Sequence, residues 1–247
     1  MSVKIANVSA SEAWGEVKPD ALEKGLGGRE SAMIYLSREW AKSGYEVTNF
    51  TNIEKSERHY EGTGYHEYIS SHLAATTLAN WPYDVVIAWE CPGIFAHEAV
   101  RDNSKIKITE LQCADLPPGQ LDHAIKWSDF IAPLSDWHKG YLMTRGIGYE
   151  DKELVVFPNG VDTSRYQFTP KFSKKPWRFV YSSSPDRGLW HLLKCWQKIR
   201  QLDPEAELIV TYGVQKWVDD VKWSHGRQAE MAVELEMLMH QEGIVDF

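Results

Sequence analysis

Short apolar segments of strand length alternate with segments of helical periodicity along most of the chain. The first helical segment has Met33, Leu36 and Trp40 at the spacing of one helix face, and Gly44 is placed to end it. The strand-length segments are Val3–Val8, Glu46–Phe50, Asp84–Trp89, Lys105–Leu111, Asp129–Leu134 and Leu154–Phe157. Such alternation predicts an α/β fold, with a parallel sheet and helices on both of its faces.

The alternation breaks once and then resumes. Thr163–Lys175 is rich in lysine and serine, which is typical of a linker. We predict a Rossmann-like N-terminal domain over residues 1–170, a linker over 171–176 and a second, incomplete Rossmann-like domain over 177–247. The second domain reaches only a third strand at Ile244–Phe247, whereas sheets covered on both faces normally have more. We expect further polypeptide, in this reading frame or a neighbouring one, to complete it.

Composition indicates a globular protein without a nucleic-acid surface. The 27 lysines and arginines are outnumbered by 35 acidic residues, which gives a net charge of −8, and 43% hydrophobic residues suffice for a core. The N-terminus lacks signal-peptide features, and no segment approaches the about 20 apolar residues of a membrane span. Cys91, Cys113 and Cys195 are widely spaced, so neither a disulfide framework nor a zinc site is indicated. We expect a cytoplasmic protein.

One basic cluster departs from this acidic average. Its members are Lys171, Lys174, Lys175 and Arg178, in and just after the predicted linker. A solvated linker is the simpler interpretation of this cluster. The alternative is contact with phosphates or with anionic lipid at a membrane surface.

The turn Ser182–Leu189 is the strongest candidate for a ligand site. It reads Ser-Ser-Ser-Pro-Asp-Arg-Gly-Leu between a predicted strand and a predicted helix. Such a turn directs backbone N–H groups and the positive end of the helix dipole to one point, where Arg187 adds a full charge. We predict a phosphate site. The alternative is a plain helix start capped by Asp186 and a serine. A serine hydrolase is disfavoured because G-x-S-x-G is absent.

Two glycine-containing loops lie where a Rossmann-type sheet binds ligands. Gly25–Glu30 opens the first helix, and its glycines would let a ligand approach the backbone, although the spacing is not G-x-G-x-x-G. Phe157–Asp162 contains Asn159-Gly160, a pair that favours positive φ and a turn. A plain turn is the alternative interpretation of each loop.

Two carboxylates follow the carboxyl ends of predicted strands. Glu90 comes directly after Asp84–Trp89, and Asp115 follows Lys105–Leu111, so either could act as a general acid or base. Loop capping is the alternative for each of them. Metal catalysis is not indicated, because the sequence contains neither D-x-D nor H-E-x-x-H.

Taken in order, a set of motifs resembles the group 1 (family 4) glycosyltransferases. The resemblance spans essentially the whole chain. The motifs are Gly27-Gly28-Arg29-Glu30 with Leu36, Gly44-Tyr45-Glu46-Val47-Thr48, Asp84-Val85-Val86-Ile87, Ser135-Asp136-Trp137-His138, Pro158-Asn159-Gly160-Val161-Asp162 and Ser183-Ser184-Pro185-Asp186-Arg187-Gly188-Leu189.

This resemblance implies the GT-B fold, two Rossmann-like domains facing across a cleft. It also implies transfer of a sugar from a nucleotide sugar, with retention of configuration and without a required metal or other cofactor. Asn159 and Gly160 would line the cleft, and Glu90 and Asp115 stay the catalytic candidates. The donor-binding residues implied are Gly27, Gly28, Ser183, Arg187, Gly188, Tyr212 and Gly213.

Two departures from the family pattern bear on activity. Relatives often have His-Asp after the fifth strand, where this chain has Ala114-Asp115. The family's acidic pair, two glutamates with seven residues between them, belongs later in the second domain. Glu234 and Glu242 have this spacing, but they lie in a helix-patterned stretch and we interpret them as a solvated face.

The leading hypothesis is a glycosyltransferase that uses a nucleotide-sugar donor and a glycan, lipid or protein acceptor. The Arg187 turn favours this hypothesis. The alternatives are a non-catalytic nucleotide- or sugar-binding module, favoured by Ala114 and the missing acidic pair, and one part of a split glycosyltransferase completed by a second polypeptide. A GT-B epimerase has no supporting residue.

Overall fold

The chain folds into two compact α/β units, which confirms the predicted fold class. This computed structural model describes residues 2–10, 16–53, 58–67, 77–78, 80–145, 148–165, 175–221 and 226–246. The large unit spans Met1–Tyr166, the small unit spans Gln167–Phe247, and each has its own sheet. Residues 171–174 of the predicted linker lie outside the described part of the chain.

An eight-stranded sheet forms the centre of the large unit. Its strands are β1 (Lys4–Ser9), β2 (Glu46–Thr51), β3 (Arg58–Tyr60), β4 (Thr63–Glu67), β5 (Tyr83–Trp89), β6 (Ser104–Leu111), β7 (Phe130–Pro133) and β8 (Glu153–Leu154). They lie in the order β3-β4-β2-β1-β5-β6-β7-β8, and only β3 and β4 pair antiparallel. The prediction of a parallel sheet is confirmed.

The sequence does not predict the hairpin of β3 and β4. Its two-residue turn, Glu61-Gly62, has positive φ at both positions, 51° and 82°. Primed hairpin turns require this conformation, but asparagine or aspartate is the usual residue where Glu61 stands. The turn therefore carries no clear sequence signal.

Helices cover both faces of the large sheet. They are α1 (Gly28–Lys42), α2 (Glu98–Asp102), α3 (Pro118–Trp127) and α4 (Asp136–Thr144). The face under α1 packs Met33 and Ile34 onto Ile5 and Trp89. The opposite face has a separate core, built around Ala6, Val8, Val86, Phe95 and Val100.

Glycine ends α1 as predicted. The N–H of Tyr45 donates to the carbonyl of Trp40, and the N–H of Gly44 donates to that of Ala41, with φ of 89° at Gly44. This is the Schellman arrangement, which a residue in the left-handed region makes possible. It returns the chain directly into β2.

A buried polar network fixes α1 on the sheet. Asn7 of β1 donates to Asn49 of β2 at 2.9 Å and to Ser37 of α1 at 3.2 Å, and it accepts the indole N–H of Trp89 at 2.9 Å. All four side chains are buried. Because a buried polar group without a partner is costly, this network favours one register of α1 over its alternatives.

The small unit has a three-stranded parallel sheet and three described helices. The strands are β9 (Arg178–Tyr181), β10 (Glu207–Val210) and β11 (Ile244–Asp246), in the order β11-β10-β9. The helices are α5 (Leu189–Leu202), α6 (Val214–Val221) and α7 (Arg227–Leu238). Leu193 and Trp196 of α5 pack with Leu208 in a buried core. The other face carries the row Val180, Ile209 and Val245, where Val180 is 64% and Val245 is 45% exposed.

The three cysteines differ in accessibility. Cys91 is buried, and burial raises the pKa of its thiol to about 12, whereas Cys113 and Cys195 are exposed. Within the described ranges, no helix combines the length and the hydrophobicity that a membrane span requires.

Two leucines of α5 test the core of the small unit. Leu193→Ala should lower the free energy of unfolding by about 2–5 kcal/mol, because Leu193 is fully buried. Leu202→Ala is the matched control and should have little effect, because Leu202 is 87% exposed. Urea unfolding followed by peptide-resolved hydrogen exchange measures both, and equal losses would contradict this core assignment.

Candidate functional site

The carboxyl ends of β5 and β6 and the start of α1 meet at one edge of the large sheet. Glu90 follows β5, Gln112 follows β6, and Arg29 lies in the first turn of α1. Glu90 accepts hydrogen bonds from both Arg29 and Gln112, so the three residues are connected. Parallel strands bring such residues together because their carboxyl ends share an edge.

Glu90 uses both carboxylate oxygens in this connection. Its Oε2 accepts from Arg29 at 2.7 Å, and its Oε1 accepts the backbone N–H groups of Gln112, at 3.0 Å, and Cys113. Its backbone has a φ of 56°, which is unusual for a residue other than glycine and costs about 1–2 kcal/mol. These contacts favour the loop-capping interpretation of Glu90 over acid or base work.

Arg29 lies between two carboxylates. It contacts Glu90 as above, and it donates to Glu30 Oε1 from Nε at 3.0 Å and from a terminal nitrogen at 2.8 Å. Glu30 is 2% exposed. Burial lowers the pKa of Arg29, but the charges and hydrogen bonds of Glu30 and Glu90 outweigh it, so the pKa is raised. One cation therefore compensates two largely buried anions.

Three further side chains continue this array along the sheet edge. Gln112 donates to Glu110 Oε1 and to Asn159 Oδ1, the latter at 2.9 Å, and it accepts from Asn159 Nδ2 at 2.8 Å. Asn159 is a predicted cleft residue, whereas Glu110 and Gln112 are not predicted site residues. The available signal was an acidic residue one position before the end of a predicted strand.

A cavity of about 700 Å³ lies beside the array, within the large unit. Its lining includes Gly28, Ser31 and Tyr35 of α1 and, from the segment after β8, Asn159 and Gly160. A Cβ added at Gly28 or Gly160 would meet no atom within 4 Å. The structure thus brings three predicted site residues, Gly28, Asn159 and Gly160, to the lining of one cavity. Gly27 lies directly before Gly28 as the N-cap of α1.

The predicted turn at Asn159-Gly160 is wrong, because neither residue has positive φ. The preceding residues stay extended instead. Val155 and Phe157 donate backbone N–H groups to β7, at 3.0 and 2.8 Å, and the Phe157 ring stacks on Trp40 of α1. Tertiary contacts therefore override the local turn preference of Asn-Gly.

Asp115 is held by a different set of groups. Its Oδ1 accepts from the N–H of Leu116 at 2.9 Å and from the Tyr149 hydroxyl at 3.2 Å, and its Oδ2 pairs with Arg145 at 3.0 Å. Burial and the Asp115 carboxylate raise the pKa of Tyr149. These contacts again favour loop capping, and the predicted catalytic role of Asp115 stays a prediction.

A histidine from another element supports the loop at Ala114. His138 of α4 is buried, its Nδ1 lies 3.3 Å from the Leu134 N–H, and its Nε2 lies 3.2 Å from the Ala114 carbonyl oxygen. Because Nδ1 accepts from Leu134, Nε2 carries the proton and donates to Ala114. His138 therefore has a structural role in this loop.

The predicted phosphate turn lies at the carboxyl edge of the small sheet. It forms the 3₁₀ turn Pro185–Arg187, with Ser183 before it and an exposed Arg187 within it. Gly188 has a φ of 120° and is the N-cap residue directly before α5. No side chain caps either helical start, so the alternative interpretation of a start capped by Asp186 and a serine does not hold. The N–H of Arg187 donates to the Ser184 carbonyl oxygen at 3.0 Å and closes the turn.

Tyr212 and Gly213 follow β10 at the same edge as this turn. Gly213 has a φ of 72°, a conformation that glycine adopts without strain. Five predicted donor residues, Ser183, Arg187, Gly188, Tyr212 and Gly213, thus lie at the ends of adjacent parallel strands. This is the edge at which open α/β sheets bind ligands.

Glu234 and Glu242 do not share a helix. Glu234 of α7 accepts the Trp190 indole N–H at 2.7 Å and pairs with Lys194 at 2.9 Å, which lowers its pKa. Glu242 lies beyond the end of α7 and pairs with Arg200 at 2.7 Å. The prediction of one shared helix face is therefore wrong, although both side chains reach solvent, Glu234 at 39% and Glu242 at 88% exposure.

Two further predictions concern charged side chains. Across the residues that the structure describes, no group of three or more His, Cys, Asp or Glu side chains has an arrangement that would hold a metal ion. In the basic cluster, Lys171 and Lys174 lie outside the described residues, and Lys175 and Arg178 both pair with Glu207.

Comparison with known proteins identifies the fold. No family model and no curated protein matches the sequence. Solved structures do match it, among them Anabaena Alr3699/HepE in complex with UDP and glucose, with a TM-score of 0.63, 15% identity and coverage of 99% of this chain and 69% of that one. AviGT4, a glycosyltransferase involved in avilamycin A biosynthesis, has a TM-score of 0.58 and 14% identity, over 99% of this chain and 63% of that one.

A third match is the pneumococcal O-GlcNAc transferase GtfA in complex with UDP and GlcNAc. Its TM-score is 0.56 at 11% identity, over 100% of this chain and 76% of that one. At these identities the matches establish the Rossmann-like GT-B fold, as predicted. The chain spans between 63% and 76% of the length of these three proteins.

Removing Arg29 tests the buried charge array. Arg29→Met should lower the free energy of unfolding by about 3 kcal/mol, because it leaves Glu30 and Glu90 without a cation. Lys105→Met is the control, since its pair with Asp84 is mostly solvated and Lys105 is 79% exposed. Denaturant unfolding measures both variants, and equal losses would contradict this assignment.

Two glycines give a second test. Gly28→Ala should not destabilise the chain, because its Cβ enters open space at ordinary φ. Gly148→Ala should destabilise it by about 1 kcal/mol or more, because φ is 93° and the new Cβ would lie 3.0 Å from Ile125. Thermal unfolding compares the two, and a larger loss at Gly28 would be inconsistent with an open cavity there.

Proposed function

We propose that the chain is a glycosyltransferase, or one part of one, that takes its sugar from a nucleotide-sugar donor. The observation that carries this proposal is the fold likeness, over 99–100% of the chain, to the glycosyltransferase AviGT4, to the O-GlcNAc transferase GtfA in complex with UDP and GlcNAc, and to HepE in complex with UDP and glucose. The positions of the Arg187 turn and of the open cavity at the carboxyl edges of the two sheets support it. A cytoplasmic location, with or without contact at a membrane surface, belongs to the same proposal.

The donor side of the proposal rests on the small unit. Cleavage of the bond between sugar and diphosphate leaves negative charge on the departing phosphate. Arg187 and the start of α5, where Gly188 directs the backbone, would stabilise that charge. Tyr212 and Gly213 lie at the same edge and would contact the nucleotide. We infer that these groups carry leaving-group departure without a covalent protein intermediate.

The acceptor side rests on the large unit. Gly27 and Gly28 would face both the donor phosphates and the acceptor, Gly160 gives the acceptor close access to the backbone, and Asn159 presents an amide fixed by Gln112. The departing phosphate oxygen would take the proton of the acceptor hydroxyl. Attack then occurs on the face that the phosphate shielded, which gives retention without a required metal. In this scheme Glu90 and Asp115 hold the loops, consistent with their filled hydrogen bonds.

A non-catalytic binding module is the second candidate function. The filled hydrogen bonds of Glu90 and Asp115 and the alanine at position 114 favour it. A split enzyme is a third form of the proposal. In this form a further polypeptide covers the sheet face that carries Val180, Ile209 and Val245 in the small unit. The exposure of these valines supports that form.

Substitution of Arg187 tests the donor site. Arg187→Ala should weaken UDP binding by about 10–100-fold, the effect of losing a charged hydrogen bond of about 1.5–3 kcal/mol. Isothermal titration calorimetry measures the affinity, and nucleotide release from a panel of nucleotide sugars measures transfer.

Lys198→Ala is the matched control, because Lys198 is an exposed cation of α5, in the same small unit as Arg187. It should bind UDP like the parent chain. Equal affinity of Arg187→Ala and the parent would refute the donor site. Binding of a nucleotide sugar without nucleotide release, with every acceptor class tried, would favour the binding module.

A further inference from the structure

Glu110 is an acidic residue buried inside the large sheet. It lies one residue before the end of β6, opposite Trp89 of β5 and Ala132 of β7, and it is 1% exposed. Neither the proposed donor site nor the proposed acceptor site requires an acid there. A carboxyl at such a position would destabilise a sheet unless its proton or its partners compensate it.

The two carboxyl oxygens of Glu110 differ in their hydrogen-bond partners. Oε1 accepts from Gln112, whose amide also exchanges two hydrogen bonds with Asn159. Oε2 is buried and has no hydrogen-bond partner among the residues that the structure describes. An ionised carboxylate would leave a charged oxygen without a partner, whereas a protonated carboxyl can place its hydroxyl there. The geometry therefore favours the protonated form.

The two nearest charges act on Glu110 in opposite directions, so burial decides which form is favoured. Glu90, whose N–H donates to the Glu110 carbonyl oxygen at 3.0 Å, faces it from the end of β5, and Arg29 faces it from α1. On the β7 side the opposite residue, Ala132, is uncharged. The pKa of Glu110 is raised to about 8, chiefly by burial, which outweighs the lowering by the Gln112 hydrogen bond and by Arg29, while Glu90 adds to the rise.

We propose that Glu110 is a positioning residue that, while protonated, holds Gln112 and through it Asn159 in place at the rim of the acceptor cavity. Loss of the proton adds a second anion beside Glu90 and a charged oxygen without a partner. The hydrogen bond from Gln112 to Oε1 strengthens when Glu110 ionises, so the Gln112 amide is drawn toward Glu110 and away from Asn159, and the acceptor rim changes with it. Glu110 does not touch a ligand in this scheme, since it is fully covered. The inference rests on the proposed function only for its activity readout.

The first test needs no activity. Infrared difference spectroscopy of the full chain should show a protonated-carboxyl C=O stretch at pH 7 that disappears with a midpoint near pH 8, and Glu110→Gln should lack it. Gln112→Met should move this midpoint upward by about half a unit or more, because a hydrogen bond that favours the ionised form is lost. Asn159→Ala should move it downward, because the Gln112 amide is then released from Asn159 toward the ionised carboxylate. Lys105→Met should leave the midpoint unchanged.

Absence of a titrating carboxyl, or a midpoint that neither Gln112→Met nor Asn159→Ala moves, would overturn the inference. The second test uses nucleotide release. The rate at pH 9 should be about tenfold below that at pH 7, as expected when the protonated fraction of a group with a pKa near 8 falls from about nine-tenths to one-tenth. In Glu110→Gln the same ratio should stay within about twofold.

The two tests separate the two proposals. A coupled titration without nucleotide release would retain the positioning role and reject glycosyl transfer by this chain. Nucleotide release with the same alkaline loss in Glu110→Gln and the parent would retain the transferase and reject the positioning role.

Discussion

The carboxylate of Glu90 connects the end of β5 with the start of α1 and with the segment after β6, and the geometry of the candidate site depends on these hydrogen bonds. It receives Arg29 from α1 and two backbone N–H groups from the segment after β6. Its side chain is 12% exposed, so loss of these partners would leave a nearly desolvated charge. Glu30 shares the same cation. The start of α1 is therefore fixed at the sheet edge by charge, while the buried Asn7 network fixes the rest of the helix by hydrogen bonds.

The fold was largely predictable from the sequence because its signals are local and repeated. Buried parallel strands appear as apolar runs, and α1 shows both a helical face and a terminating glycine. β8 shows the limit of this signal, since only Glu153–Leu154 is a strand, although Val155 and Phe157 continue its hydrogen bonds to β7. The β3–β4 hairpin was not predictable, because its strands are short and Glu61 is an uncommon residue in such a turn.

The site was less predictable, because its contacts join residues far apart in the chain. Gln112 and Asn159 are 47 positions apart, and nothing local to either residue indicates that their amides pair. The helical pattern around Glu234 and Glu242 predicted one helix through both residues, but α7 ends between them. The sequence does show Glu110 as an acid near the end of a predicted strand, but it shows neither that Glu110 is buried nor that Glu90 lies close to it. Positions at strand ends were predictable, whereas their hydrogen-bond partners were not.

The cysteines have a practical consequence. Cys113 lies beside Glu90 in the large unit and Cys195 lies on α5 of the small unit, and both are exposed, whereas Cys91 is buried. Thiol-directed dyes react with accessible thiols and spare buried ones with a raised pKa. The natural chain therefore offers one labelling position on each unit. Energy transfer between the two dyes would report how their separation responds to a nucleotide or a sugar, without any engineered cysteine.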